Sequence, residues 1–250
     1  MGRLLEELDY RPTAMGPLVL RRRWVAAIDT DVVEVILGDE HLMSSLFTVG
    51  ETELAVRGLA SASGTDLRVL VGGLGLGYTA REALADPRVA SVEVVDALAP
   101  VIEWHQAGLV PLGESLGRES RCRLVLGDFF GWFETRRPAD AAYDVVLLDI
   151  DHSPPQSAPP GPRPLLFAGG AGPCAAGAGG ERGIRHVVRR GPGPDFLALL
   201  ESVFPAVRAD VVAFDNPLTG GSSTCTIYLA GSMLKEMVDA TGIEPVTPSV

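Results

Sequence analysis

Residues 67–77, with the sequence LRVLVGGLGLG, decide the expected fold. An apolar run at 67–71 leads into glycines at alternate positions, Gly73, Gly75 and Gly77, and a helical pattern follows over 78–85. Glycines let a strand turn tightly into a helix and let the backbone approach a ligand, while the helix N-terminus points N–H groups at it. The stretch therefore predicts the first strand, the ligand loop and the first helix of a nucleotide-binding domain.

Strands and helices alternate after this stretch, which predicts an α/β fold with a parallel sheet that is covered on both faces. The expected strands are 90–95, 123–126, 143–148, 211–214 and 223–230, and the expected helices are 99–107, 129–135, 195–203 and 232–240. Before residue 55 the chain has β-branched runs at 17–21 and 32–37 instead. We therefore expect a small N-terminal β-lobe over 1–55 and one nucleotide-binding domain over 56–250.

The segment 154–194 interrupts this alternation. It holds ten of the 29 glycines and nine of the 19 prolines, and this composition is typical of a disordered loop. A structureless loop of this length is uncommon inside an α/β domain. The residues at 181–189 can also be encoded so that a one-base shift reads Ser-Gly-Ala-Phe-Gly-Met-Trp-Ser-Asp, which looks like a missing fifth strand. A genuine loop and a frameshifted segment both remain open.

Two acidic residues stand beside the glycine loop in the expected sheet. Asp96 ends the second strand, where a carboxylate can accept both ribose hydroxyls, and Asp128 follows the third strand, where it can meet an adenine amino group. Each alone is typical of a turn or a helix cap, but together with the glycines they predict an adenosine pocket. A nicotinamide fingerprint would need glycine or alanine where Tyr78 stands, so the spacing favours an S-adenosylmethionine-type site.

The fourth strand ends in Asp149, Asp151 and His152. A carboxylate at this end of the strand can orient an amine and take up its proton, so Asp149 and Asp151 are candidate catalytic residues. The alternative is that the aspartates cap the next turn and that His152 lies on the surface.

Charge and hydropathy limit the classes of partner. The formal net charge of -11 argues against nucleic acid, because non-specific binding to a phosphate backbone needs clustered cations. No apolar run is long enough for a membrane span, and the first residues lack the core of a signal peptide. The three cysteines are far apart and suggest neither disulfides nor a metal site, so we expect a cytoplasmic protein without a bound metal.

These motifs resemble the polyamine aminopropyltransferase (spermidine synthase) family. The resemblance covers about residues 16–153 and 195–230, and it rests on the glycine loop and on the motifs at 91–96, 127–128, 143–149 and 216–221. It implies a methyltransferase-type Rossmann-like sheet, an N-terminal β-lobe over the site, and homodimers. It also implies that no prosthetic group is needed, since decarboxylated S-adenosylmethionine or S-adenosylmethionine is a co-substrate.

The resemblance also implies roles for single residues. Asp96 would bind the ribose, Asp128 the adenine, and Asp149 the attacking amine, while Glu51 and His152 fall near acids that bind the amine substrate. The expected reaction is the transfer of an aminopropyl group to a small amine such as putrescine. Two alternatives remain open: a small-molecule methyltransferase, and a catalytically silent relative that binds only the nucleotide or a polyamine.

Overall fold

The computed structural model describes residues 4–129, 131, 143–150, 185–190 and 194–231. An antiparallel N-terminal sheet with the strand order β1-β2-β3-β4 comes first. It consists of β1 (Leu5–Thr13), β2 (Gly16–Val25), β3 (Thr30–Leu37) and β4 (Glu40–Ser44). The β-branched runs at 17–21 and 32–37 lie in β2 and β3, whereas the edge strands β1 and β4 have no such run.

A seven-stranded sheet with the order β10-β11-β9-β8-β5-β6-β7 follows. Neighbours from β9 to β7 run parallel, while β11 is antiparallel to both β9 and β10. Its strands are β5 (Leu67–Gly72), β6 (Val89–Asp96), β7 (Cys122–Leu126), β8 (Val145–Leu148), β9 (Arg185–Arg190), β10 (Ala206–Asn216) and β11 (Gly221–Gly231). This mostly parallel sheet confirms the predicted Rossmann-like α/β class.

Five helices accompany these strands in the described residues. They are α1 (Val49–Ala60), α2 (Tyr78–Ala85), α3 (Ala99–Gln106), α4 (Gly113–Arg118) and α5 (Pro194–Val203). The helix predicted at 78–85 has the observed bounds of α2, and those predicted at 99–107 and 195–203 differ from α3 and α5 by one residue at one end. None of the helices in these ranges is both long and apolar enough to cross a membrane.

Alternate residues of the central strands face opposite sides of the large sheet, as strand geometry requires. In β5, Val69 and Val71 pack into the core that contains residues of α1, α2 and α3. Leu70 points to the other side and belongs to a second core with Leu200 of α5 and Phe204. The sheet is therefore covered on both faces, which explains why its strands read as continuous apolar runs.

The N-terminal sheet packs onto the first of these two cores. Leu20 and Val35 are fully buried members of that core. At its edge, the indole Nε1 of Trp104 on α3 donates a hydrogen bond of 2.7 Å to Oδ2 of Asp9 on β1. That bond is the main reason that the pKa of Asp9 is lowered. The N-terminal sheet is thus fixed against the large sheet by both apolar and polar contacts.

One buried carboxylate lies inside the N-terminal sheet. Glu34 on β3 is 2% exposed, and its oxygens lie 2.8 Å from Nε of Arg21 and 2.7 Å from Nη2 of Arg23. His41 Nε2 lies 3.7 Å from the same carboxylate. Burial alone would raise the pKa of Glu34, but the hydrogen bonds from the two arginines outweigh it and lower the pKa. Two of the three arginines at 21–23 are therefore ion-pair partners of a buried carboxylate.

The predicted domain limits stay a prediction. The antiparallel sheet ends at Ser44, and α1 begins at Val49 and packs against α2 and the large sheet, so the division at residue 55 stays a prediction. Within 154–194 the structure describes β9, and the first residue of α5 also belongs to this segment. The helix predicted at 129–135 lies mostly outside the described residues, and the one predicted at 232–240 lies wholly outside them.

Candidate active site

The carboxyl ends of four parallel strands meet at one edge of the large sheet. Gly72 at the end of β5 is in register with Val95 of β6 and with Leu148 of β8, and Asp96 is in register with Leu126 of β7. Ligands of open α/β sheets bind at this edge. The glycine loop (residues 73–77) and the predicted acids Asp96, Asp128 and Asp149 all follow or end these strands.

Gly73 is the position where the loop needs glycine most. Its φ angle is +92°, in the region that side chains other than glycine rarely adopt. A Cβ atom at this position would also overlap the backbone carbonyl oxygen of Asp149. The loop and the end of β8 therefore touch through their backbones, which places Asp149 directly beside the loop.

The carboxylate of Asp96 holds the other side of the loop. Its Oδ2 accepts a hydrogen bond of 2.8 Å from the Leu74 N–H, and its Oδ1 accepts one of 2.8 Å from the Leu98 N–H. Burial raises the pKa of Asp96, and the N–H groups of Leu74, Leu98 and Gly75 oppose this effect. A carboxylate has about four acceptor positions, so capacity for a ribose hydroxyl remains beside these three N–H groups.

Asp128 lies at the same edge but is exposed. The Gly127 N–H donates to the Asp96 carbonyl oxygen at 2.9 Å, which ties the ends of β6 and β7 together. Oδ2 of Asp128 accepts a hydrogen bond of 3.2 Å from the Gly131 N–H. The side chain thus makes the turn contact that was the structural alternative for this residue, and its adenine-binding role stays a prediction.

Asp149 is joined to the β5–α2 segment by two hydrogen bonds. Its N–H donates to the Gly72 carbonyl oxygen at 2.8 Å, and its Oδ2 lies 2.7 Å from the hydroxyl oxygen of Thr79. The Thr79 hydroxyl also lies 3.5 Å from the backbone carbonyl oxygen of Glu51 on α1. Two of the predicted substrate residues, Asp149 and Glu51, therefore meet at one threonine.

The Glu51 side chain points toward the first turn of α2. Glu51 is 9% exposed, and its carboxylate is close enough to Tyr78 to influence the phenol. Burial raises the pKa of Tyr78, and the negative charge of Glu51 raises it further. Tyr78 was considered in the sequence only as an argument against a nicotinamide site, yet it lies beside a candidate substrate residue.

His105 on α3 contacts the backbone of the glycine loop. Its Nε2 lies 2.9 Å from the Gly75 carbonyl oxygen, and because a carbonyl only accepts, Nε2 must carry the proton. The other ring nitrogen, Nδ1, is buried and has no hydrogen-bond partner among the described residues. Burial lowers the pKa of His105, so the ring is neutral near pH 7.

Met43 of β4 covers the loop from the N-terminal sheet. A Cβ atom at Gly75 would lie 2.8 Å from the sulfur of Met43 and 3.0 Å from its methyl carbon. The N-terminal sheet therefore reaches the glycine loop and forms one wall of the candidate site, in the position expected from the resemblance.

Polyamine aminopropyltransferases are similar to this chain in sequence, over about half of its length or less. The identity is 34% over 138 residues with polyamine aminopropyltransferase 2 of Streptomyces coelicolor, covering 50% of this chain and 24% of the relative. It is 35% over 100 residues with the Prochlorococcus marinus protein, covering 40% and 32%. Each match thus spans about a third or less of that relative's own length. No protein-family model matches the chain.

Solved spermidine synthases share the fold. The Thermotoga maritima enzyme aligns with a TM-score of 0.68 at 13% identity, over 92% of this chain and 73% of the other. A spermidine synthase in complex with the transition-state analogue AdoDATO gives 0.68 at 16% identity, over 92% and 74%. The chain therefore resembles spermidine synthases in fold and polyamine aminopropyltransferases in part of its sequence.

The structure brings most of the predicted site residues together at the glycine loop. Gly73, Gly75 and Gly77 form the loop, with Asp96 and Asp149 on either side of it and Glu51 next to Thr79. Asp151 and His152 lie outside the described residues, so their roles stay predictions. In the described ranges, no group of three or more His, Cys, Asp or Glu side chains could hold a metal ion.

Sequence reasoning missed three residues of this site: Thr79, His105 and Met43. Thr79 and His105 look like ordinary helix residues, and Met43 looks like an ordinary strand residue, because their partners are distant in the chain. The only local signal is that Thr79 lies two residues after the last glycine of the loop.

Proposed function

We propose that the protein transfers an aminopropyl group from decarboxylated S-adenosylmethionine to a small primary amine such as putrescine. The observation that carries the proposal is the position of Asp149: its carboxylate accepts a hydrogen bond from Thr79, and its backbone carbonyl lies against Gly73 of the glycine loop. This arrangement supports an amine-binding role for Asp149, because its side chain lies beside the loop proposed to hold the donor. The sequence similarity to polyamine aminopropyltransferases supports the same reaction.

The reaction is a direct displacement at the carbon next to the sulfonium. The lone pair of the amine nitrogen forms the new C–N bond, the C–S bond breaks, and its electron pair stays on sulfur. Asp149 takes one proton from the substrate ammonium before the attack, which frees the lone pair. Methylthioadenosine then leaves as a neutral thioether, and the new nitrogen is released as a secondary ammonium. Because the sulfonium is already an activated leaving group, the protein has to supply orientation and a deprotonated amine.

The remaining groups have binding roles in this proposal. Asp96 and the glycine loop hold the adenosine, and Asp128 contacts the adenine. Asp151, Glu51 and His152 bind the distant charged end of the diamine. Both substrates are cationic, so the formal net charge of -11 favours their approach.

The proposal is tested with purified protein, decarboxylated S-adenosylmethionine and a panel of amines, with methylthioadenosine measured by mass spectrometry. We expect Asp149→Asn to lower kcat by about 10²–10⁴-fold, the usual cost of losing a general base, with little change in methylthioadenosine affinity. Asp96→Ala should weaken methylthioadenosine binding first. Asp39→Asn, at an exposed turn between β3 and β4, is the matched control and should leave both quantities unchanged.

Two outcomes would contradict the proposal. Methylated product from S-adenosylmethionine, without methylthioadenosine from the decarboxylated donor, would assign the protein to the methyltransferases. No product from either donor, with methylthioadenosine still bound, would assign it to the silent relatives.

A further inference from the structure

Thr79 is a buried polar residue that neither the motifs nor the resemblance assigned. It is the second residue of α2, and 3% of it is exposed, so it reaches no solvent. Its hydroxyl has one proton to donate and two acceptors near it, the Asp149 carboxylate at 2.7 Å and the Glu51 carbonyl at 3.5 Å. The shorter distance and the negative charge of the acceptor direct that proton to Asp149.

The hydroxyl does not serve its own helix. A threonine near a helix start often caps it, but the N-cap of α2 is Gly77, and the helix has no side-chain cap hydrogen bond. Threonine is branched at Cβ and therefore has few χ1 rotamers in a helix. The helix backbone thus restricts the hydroxyl to few positions, and in the one observed it is directed at the carboxylate.

This bond fixes the carboxylate in relation to the nucleotide loop. The Asp149 N–H is already bonded to Gly72 at the end of β5, and the Thr79 bond adds a second tether at the start of α2. Gly72 precedes the glycine loop and Thr79 follows it, so the two hydrogen bonds hold Asp149 at both ends of the loop. Holding Oδ2 restricts rotation of the carboxylate, so Oδ1 keeps a defined direction.

We propose that Thr79 is a positioning residue that orients the Asp149 carboxylate toward the amine, so that the attacking nitrogen is aligned with the donor held by the adjoining loop. This inference rests on the proposed function, since it assigns Asp149 to the amine. Thr79 touches neither substrate in this role and acts only through Asp149.

The test compares Thr79→Val, which removes the hydroxyl at nearly constant volume, with Thr79→Ser, which keeps it. We expect Thr79→Val to lower kcat by about 10- to 100-fold, the range for a lost hydrogen bond to a charged group. The dissociation constant of methylthioadenosine should change by less than about twofold, and Thr79→Ser should restore most of kcat. The control Thr226→Val makes the same change at a buried threonine of β11, which β9 separates from β8, and should leave kcat unchanged.

A double-mutant cycle separates positioning from a general structural effect. In the Asp149→Asn background, Thr79→Val should lower the residual turnover by less than about twofold, because the group it positions is already altered. An equal loss of turnover in both backgrounds would overturn the proposal. So would wild-type turnover in Thr79→Val, or equal loss in the valine and serine variants.

A binding readout keeps this test independent of the proposed reaction. If the wild-type protein forms no methylthioadenosine from the decarboxylated donor, the proposed function fails. The wild type, Thr79→Val, Asp149→Asn and the double variant are then compared in their affinity for putrescine. Calorimetry measures this affinity with methylthioadenosine already bound to the protein. Weaker binding in Thr79→Val that disappears in the Asp149→Asn background supports positioning, and an affinity that does not depend on Thr79, or no putrescine binding at all, refutes it.

Discussion

Replacing Gly73 by alanine tests whether the contact between the glycine loop and the end of β8 is as close as the structure places it. The new Cβ would sit at a φ angle of +92° and would overlap the Asp149 carbonyl oxygen. The carbonyl oxygen belongs to the backbone and cannot rotate away as a side chain could. The strand end and the loop must therefore move apart, which displaces both Asp149 and the nucleotide loop.

Two costs add up to the expected magnitude. A non-glycine residue in a sparsely populated backbone region costs about 1–3 kcal/mol. Inserting a methyl group into a closely packed contact costs about 1–3 kcal/mol more. We therefore expect Gly73→Ala to lower the free energy of unfolding by about 2–6 kcal/mol.

Gly108→Ala is the matched control for the backbone cost. Gly108 follows the end of α3 with a φ angle of +68°, and a Cβ there would meet no heavy atom within 4 Å. Alanine at this position should cost only the left-handed backbone penalty, about 1–2 kcal/mol. The difference between the two variants then isolates the steric contact with Asp149.

Urea unfolding measures the free energies, and calorimetry with methylthioadenosine measures the consequence for the loop. We expect Gly73→Ala to bind methylthioadenosine at least about tenfold more weakly than Gly108→Ala. The reasoning is refuted if the two variants lose equal stability, or if Gly73→Ala binds methylthioadenosine with the wild-type affinity.

Two further predictions concern buried ionisable groups. Glu34→Gln should lower the free energy of unfolding by about 1.5–3 kcal/mol, because the amide keeps one acceptor oxygen for one arginine and loses the charged hydrogen bond to the other. Glu6→Gln, at an exposed carboxylate 3.7 Å from Arg22, should cost less than about 0.5 kcal/mol by the same urea titration, and equal losses would contradict the account of Glu34. Because burial lowers the pKa of His105, its contribution to stability is complete above the unfolded pKa of about 6.5 and is lost as the pH falls below it. The unfolding free energy of His105→Gln should therefore fall less steeply than that of wild type between about pH 7 and pH 5, and parallel profiles would refute this.

The parts of the fold that were predictable are those with a local cause. The apolar run and the spaced glycines at 67–77 require a buried strand and a tight turn, and α2 begins directly after them. The α1 helix shows the opposite case. Its sequence, VGETELAVRGLA, includes two glycines and two valines that lower helix propensity, and its N-cap Thr48 makes no side-chain cap hydrogen bond. Packing against α2 and the large sheet determines this helix.

The candidate site divides in the same way. Asp96 and Asp149 could be found because each stands at the end of a strand whose apolar pattern is visible. Thr79 and Asp149 are separated by 70 positions, and only the parallel pairing of β5 with β8 brings them together. His105 meets Gly75 through the packing of α3, which the spacing of residues does not reveal. Contacts between distant residues depend on strand order, and strand order was not readable from the pattern.

The strand β9 bears on the segment at 154–194. It lies between β8 and β11 and is parallel to β8, the place of a central strand. Central strands of parallel sheets are covered on both faces and are rich in Val, Ile and Leu, as VVLL in β8 is. The sequence of β9 is RHVVRR, with three arginines and one histidine in six positions.

This composition suits a central strand poorly, because a buried charge needs a partner. The alternative frame over 181–189 contains Phe, Met and Trp and one charged residue, Asp, where the given sequence has four charged residues. The frameshifted segment therefore stays a prediction with a direct test, since it requires a compensating pair of insertions or deletions flanking 154–194 in the DNA. Resequencing the gene decides between the two. A compensating pair would mean that the alternative frame is the true sequence at 181–189. An intact frame would refute the frameshift and leave RHVVRR as the true strand.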